Sequence, residues 1–232
     1  MTMLITMSDD DADFSSARRL DGWLARLGHC DGRLCRAFDL LTATTALLFF
    51  LPLLAILAVA LKLFDPGPVL FRHRRIGKNG QYFYCYKLRT MVIDSDERLQ
   101  ALLQNDPAAR AEWMRDQKLA NDPRITPLGR FLRNSSLDEL PQFINILKGE
   151  MSLVGPRPIV DAEVSRYGRY FSHYMQSRPG LTGLWQVSGR SNTTYRRRVA
   201  MDVYYARRRS LGMNARIALK TVPAVLQARG SY

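Results

Sequence analysis

Two adjacent carboxylates, Asp138 and Glu139, stand out in a chain rich in arginine. They follow Ser136 in the string S-L-D-E, which spells a capping box at the head of a helix expected over residues 137–147. In the first turn of a helix, free backbone N–H groups and the helix dipole favour negative charge and attract phosphate. An ionised Asp held there could attack phosphorus, with Glu139 holding Mg²⁺, an ion that takes one or two carboxylates plus substrate phosphate. Read as a pattern alone, the same pair is an ordinary cap. The weight comes from nearby cations: Lys87, Arg89, Arg133 and Arg157, the last in the rigid turn G-P-R-P at 155–158. Arg binds phosphate oxygens bidentately, so convergence of these groups would mark a phosphate site.

Other chemistries find little support. His29, His73 and His173 share no ligand spacing with one another or with Cys30, Cys35 and Cys85. Gly183 and Gly189 are too far apart for a nucleotide-binding glycine fingerprint, and no nucleophile elbow supports a Ser-His-Asp reading.

The elements that must position the pair begin with residues 40–61, 22 consecutive residues without a charge, enough to cross a bilayer core as a helix. Pro52 sits near the middle and predicts a kink or break that leaves two arms, each reaching about half the hydrocarbon thickness. Arg33 and Arg36 precede the run, Lys62, Arg72, Arg74 and Arg75 follow it, and both flanks therefore read as cytoplasmic. The charge symmetry mildly prefers a helix that dips in and returns over one that spans.

Downstream, strands at 69–71 and 81–86 enclose G-K-N-G and form a small hairpin. Helical patterns cover 94–104, 107–119 and 127–133, then 137–147, and helices resume from residue 160. The net charge is +13, and residues 161–232 alone hold 13 Lys or Arg against three acids. Anionic partners follow from that sign. The stretch 195–209 carries two Arg triplets among tyrosines; beside a membrane segment, lipid headgroups are a nearer partner than nucleic acid.

Together, K-L-R-T-M at 87–91, S-L-D-E-L-P-Q at 136–142, G-E-M-S-L-V-G-P-R-P at 149–158 and R-P-G-L-T-G-L-W-Q-V-S-G-R at 178–190 resemble the bacterial sugar transferases, the monotopic phosphoglycosyl transferases. The likeness extends to the small exopolysaccharide-initiating enzymes that transfer galactose 1-phosphate. It implies an α+β fold, mostly helical: a 1–32 tail, a re-entrant membrane helix at 33–63, and a cytoplasmic catalytic domain at 64–232 with a small hairpin and amphipathic interfacial helices. It implies that Asp138 attacks the sugar-linked phosphorus of a UDP-sugar and that undecaprenyl phosphate collects the phosphosugar, at the cytoplasmic face of the bacterial inner membrane. In this reading Glu139 binds Mg²⁺, Arg133 and Arg157 hold phosphate, Arg190 lies in the nucleotide-sugar region, and Lys87 and Arg89 fill basic motif positions. Membrane lipids are partners, nucleic acid is not, and a homodimer stays open. Alternatives are the same chemistry on UDP-glucose or a UDP-acetamido sugar and, in another class, a non-catalytic basic membrane-anchored binding protein. Leu51 stands where the family has Ser before Pro52, so the hydroxyl that could bond a freed carbonyl is missing.

Overall fold

A computed structural model describes residues 33–116, 119–188 and 193–226; the 1–32 tail and Arg190 lie outside the described residues. The chain is mostly helical, with one long apolar helix and a two-stranded antiparallel sheet.

Helix α1, Arg33–Phe64, is 32 residues long, about 48 Å at 1.5 Å per residue. Pro52 lies inside it, and the expected break into two arms does not occur. Proline removes one bond from the ladder at a cost of about 3 kcal/mol. Packing on both sides of the proline offsets it. Phe38, Ala43, Ala46 and Leu47 join one core cluster, and Leu53, Leu54, Leu57 and Leu61 join another with Leu88 and Leu132. The opposite stripe, including Leu41, Leu48, Phe49, Ile56 and Leu63, is exposed.

Polar bonds fasten both ends of α1 to one body. At its start the Arg36 guanidinium donates to the carbonyls of Ile146 (2.6 Å) and Leu147 (2.9 Å). One turn on, buried Asp39 accepts from the Ser152 hydroxyl and the Leu153 amide, both at 2.8 Å. Past its end, Asp65 takes the Arg89 guanidinium.

The hairpin pairs β1, Leu70–Ile76, with β2, Tyr82–Leu88, in the register Leu70↔Leu88 to Ile76↔Tyr82. It runs longer than the sequence suggested at both strands. Period-two alternation turns Phe83 and Cys85 into the core and Tyr82 and Tyr84 outward. The outer edge of β2 is closed by one side chain: Asn145 accepts from the Tyr86 amide (3.0 Å) and donates to the Tyr84 carbonyl (2.7 Å).

Helices α2 (Ser95–Asn105), α3 (Pro107–Asp116) and α4 (Pro127–Asn134) fall where the periodicity places them, α3 ending earlier. Thr126 caps α4 by accepting from the Gly129 amide at 2.9 Å, with Pro127 at the first helical position. Gly129 is there because α4 lies against the backbone of Thr90: a Cβ would meet the Thr90 carbonyl oxygen at 2.0 Å.

The helix expected at 137–147 is not one helix. Leu137–Glu139 is a 3₁₀ turn, and α5 starts only at Gln142–Lys148. Pro141 is the cause: having no N–H, it cannot bond the Leu137 carbonyl, which instead accepts from Leu140. The capping box fails with it, because Ser136 has φ 57° and makes no side-chain cap bond.

Strand β3, Ser152–Val154, pairs in parallel with β4, Gly180–Thr182, a short element without sequence warning. Their approach is so close that a Cβ on Gly180 would meet the Gly155 nitrogen at 2.0 Å. Of the short helices α6 (Asp161–Tyr167), α7 (Phe171–Met175) and α8 (Leu184–Val187), α6 and α7 supply Tyr167 and Tyr174 to a second buried cluster with Ile76, Ile159 and Val199. Helix α9, Tyr195–Arg208, turns Val199, Tyr205 and Ala206 inward, and α10, Leu211–Leu226, buries Ile217. The main core joins Phe83, Phe143, Ile146, Met151, Leu153, Val154 and Tyr205 around Ala43 of α1. Each such large apolar side chain contributes about 1.5–3 kcal/mol on burial, so the apolar helix is part of the domain's own core.

Candidate active site

Strand β2 delivers Lys87 to the 3₁₀ turn that carries the two carboxylates. Its ammonium lies 2.6 Å from Glu139 Oε1 and 3.6 Å from Asp138 Oδ2. Asp138 is 6% exposed, whereas Glu139 is open enough to meet a solute. The turn owes its aim to Ser136, held in the left-handed region that costs a non-glycine residue about 1–3 kcal/mol. Arg133, one turn back on α4, is oriented by donating its Nε–H to Thr90 Oγ1 at 2.9 Å. Thr90 belongs to the same K-L-R-T-M string as Lys87, so one motif supplies a site cation and steers another.

The pocket beside this turn measures ≈ 340 Å³ and is lined by Arg75, Lys87, Glu139, Gln142, Arg157 and Gln186, among others. Arg157 stands exposed between the buried Pro156 and Pro158, on the turn that follows β3. Lys87, Asp138, Glu139 and Arg157 thus converge, with Arg133 at their edge.

Arg89 does not join them. It is 6% exposed and turned onto Asp65, its Nη2 bonding the Asp65 carbonyl and lying 3.4 Å from the Asp65 carboxylate. Residues 87 and 89 share a side only while the strand continues, and β2 ends at Leu88. Arg89 therefore braces the α1–β1 junction.

Three lining residues escaped the sequence reading. Arg75 comes from β1, its side chain held by the Pro158 carbonyl (3.3 Å) and near Glu163 (3.8 Å). Gln142 is buried at the start of α5, and Gln186 sits on α8. Strand alternation placed Arg75 no more readily inside than the neighbouring Arg74. The two glutamines lie in the quoted motifs, the one signal that pointed to them.

Electrostatics divide the two acids. Burial pushes the Asp138 pKa up; Lys87 and Arg133 pull it down only in part, and Glu139 adds repulsion. Burial pushes Glu139 the same way, but the Lys87 ammonium with its hydrogen bond, then Arg157 and Gln142, outweigh it and leave the pKa lowered. Lys87 is correspondingly raised, since the two carboxylates overcome the effect of burial. Burial lifts the Cys85 thiol to about 11, which leaves it an unreactive neighbour at neutral pH.

Glu139 already binds a cation in Lys87. Two carboxylates and an amide form an oxygen donor set that suits Mg²⁺, which completes its shell with water and substrate oxygens. Among the described residues no cluster of three or more His, Cys, Asp or Glu side chains offers a closed cage, as a softer metal would require.

A profile of the bacterial sugar transferases matches residues 31–228, nearly the whole chain. The chain belongs to the bacterial sugar transferases. This transferase is 50% identical over 197 residues to the exopolysaccharide production protein ExoY of Rhizobium meliloti, an overlap of 85% of this chain and 87% of that one. It is 49% identical over 197 residues to the undecaprenyl-phosphate galactose phosphotransferase of Salmonella typhimurium, covering 85% of this chain and 41% of that protein. It is 47% identical over 204 residues to the UDP-galactose-lipid carrier transferase of Erwinia amylovora, covering 88% of the transferase and 43% of the relative.

Proposed function

We propose that this transferase moves a hexose 1-phosphate, galactose 1-phosphate above others, from a UDP-sugar to undecaprenyl phosphate and so starts an exopolysaccharide repeat unit. The observation that carries the reading is the Lys87 ammonium held between Asp138 and Glu139, beside a pocket lined by Arg75 and Arg157, with Arg133 near Asp138. Three arginines and one lysine against two acids favour a diphosphate over any neutral ligand. The names of the Salmonella and Erwinia relatives support the galactose donor.

The geometry supports a division of labour between the two acids. Glu139, ionised and tied to Lys87, is the fixed anion and would hold Mg²⁺, with the Gln142 side chain beside it. Bound there, Mg²⁺ would neutralise charge on the diphosphate. Asp138, farther from Lys87, keeps an oxygen for attack. That oxygen forms a bond to the sugar-linked phosphorus while the bridging P–O bond breaks and its electron pair leaves with UMP. Lys87 and Arg157 stabilise the equatorial oxygens as charge shifts to the leaving group. In the second step a phosphate oxygen of undecaprenyl phosphate attacks the same phosphorus and frees Asp138.

Helix α1 is read here as monotopic, with both ends on the cytoplasmic face and the apolar stripe in the inner membrane. Its two ends are bonded to one packed body through Arg36 and Asp39 on one side and Leu57, Leu61 and Asp65 on the other. A spanning helix would carry one of those attachments to the far side of a core about 30 Å thick.

The test is turnover with a donor panel in detergent containing undecaprenyl phosphate and Mg²⁺. UDP-galactose should give UMP and a lipid-linked hexose diphosphate at a higher kcat/KM than UDP-glucose or a UDP-acetamido sugar. Preference for another donor would overturn the sugar assignment, and no turnover with any UDP-sugar would overturn the reaction.

A further inference from the structure

A second cleft of ≈ 510 Å³ opens away from the active site, and the two share no lining residue. Arg36 of α1, Lys78 of the hairpin turn, Arg178 before β4 and Arg209 after α9 line it, with Asp39 the lone acid among the described residues. We infer that this cleft is an anion site that takes inorganic phosphate or a phosphomonoester. Nothing in the transfer reaction described above uses these residues.

The cleft is a built one. Arg36 and Arg178 are both aimed by the frayed end of α5, Arg36 through the carbonyls of residues 146 and 147 and Arg178 Nε through the carbonyl of Gly149 at 2.7 Å. Arg209 is steadied by one bond, Nη1 to the Gln176 carbonyl at 3.2 Å. Those bonds fix the side chains yet leave guanidinium N–H groups over, in the planar fork that suits phosphate. Among the described residues the Lys78 ammonium has no hydrogen-bond or ion-pair partner, and the residue is exposed on a turn. Asp39 spends its oxygens on Ser152 and Leu153, and its single charge, felt by Arg36 and Arg178, offsets only part of the positive charge of the group.

A second observation points the same way. Ser177 lines this cleft, is 3% exposed, and its Oγ has no hydrogen-bond partner among the described residues. A buried hydroxyl left without a partner costs about 1–3 kcal/mol, and such a group calls for a ligand atom. A phosphate oxygen would accept from it while the cations neutralise the charge. Among the described residues four cations stand against one acid, a balance that disfavours a metal cation and a neutral sugar.

The experiment is a ³¹P NMR titration of inorganic phosphate against the whole chain in detergent. Saturable line broadening should persist in Lys87→Ala, whose substitution lies in the other pocket. Lys78→Ala and Ser177→Ala should each weaken phosphate binding about tenfold or more, with UMP release unchanged and phosphate-free Tm unchanged in Lys78→Ala and no lower in Ser177→Ala. Lys78 is exposed and unbonded, so that variant tests the site even if Ser177→Ala disturbs folding. No saturable broadening, broadening lost only in Lys87→Ala, or broadening equal in wild type and Lys78→Ala would overturn the site. Nanodiscs separate the sources: displacement of phosphate by phosphatidic acid but not by phosphatidylcholine assigns the site to a lipid phosphate. Displacement by UMP alone assigns it to a soluble phosphomonoester.

Discussion

Lys87 Nζ lies 2.6 Å from Glu139 Oε1 and 3.6 Å from Asp138 Oδ2, so one ammonium sits unevenly between two acids. Replacing it by Gln should lower kcat/KM about 100-fold or more, about 2.7 kcal/mol of transition-state stabilisation. The variant should also shift the pH profile. In the proposed reaction Asp138 attacks as the anion, and its pKa is already raised by burial, so activity should fall as pH drops through that raised value. Without Lys87 the two carboxylates repel unscreened, and the acidic limb should move to higher pH. A limb that moved to lower pH would show that Lys87 does not hold Asp138 ionised.

Arg89 makes a contrasting case within the same motif. Its buried pairing with Asp65 predicts that Arg89→Ala is a stability variant, losing about 3 kcal/mol. Thermal unfolding should show Tm lower by about 6–12 °C. Single-turnover UMP release per folded molecule at saturating donor should fall less than tenfold. A collapse of that rate with Tm unchanged would return Arg89 to the substrate pocket.

These two residues show how far the sequence could be read. The hairpin, α2, α3 and α4 were legible because turn residues, the Thr126-Pro127 cap and periodicity act locally. The family motifs held the acids, Lys87 and Arg157. What stayed hidden depends on neighbours distant in the chain. Arg89 leaves the site because β2 ends one residue before it. The capping box at Ser136 reads well in isolation, yet Pro141, five residues on, withholds the bond that a regular helix would need. Pro52 predicts a break that disappears when both arms of α1 pack on one body. Strands β3 and β4 are three residues each and exist only because Gly155 and Gly180 let two backbones touch.

A buried acid sets a pH dependence of stability. Asp202, 2% exposed, accepts from the Tyr167 hydroxyl at 2.7 Å, and burial raises its pKa from 3.8 to about 7. The folded state therefore binds the proton more tightly than the unfolded chain. The stability from the neutral acid is complete below pH 3.8 and is lost as pH rises through about 7. The Tm of the wild type should fall between pH 5 and pH 8. In Asp202→Asn, which keeps an acceptor for Tyr167, that fall should shrink by about 4 °C or more. Parallel Tm curves for the two proteins would contradict this.

Helix α1 should not separate its ends. Single cysteines at Arg33 and at Lys78, in a background with Cys30, Cys35 and Cys85 replaced, should label from the same side of sealed inverted membrane vesicles. Labelling from opposite sides would contradict the monotopic reading.

In the proposed reaction Asp138, and not Glu139, carries the phosphosugar. The direct measurement is intact mass after incubation with UDP-galactose and Mg²⁺ in the absence of lipid, followed by peptide mapping of the modified chain. About one UMP should be released per molecule, with a mass gain of one hexose phosphate located on Asp138, and neither should occur in Asp138→Asn. UMP that appears only when undecaprenyl phosphate is added, or a phosphosugar located on Glu139, would contradict it.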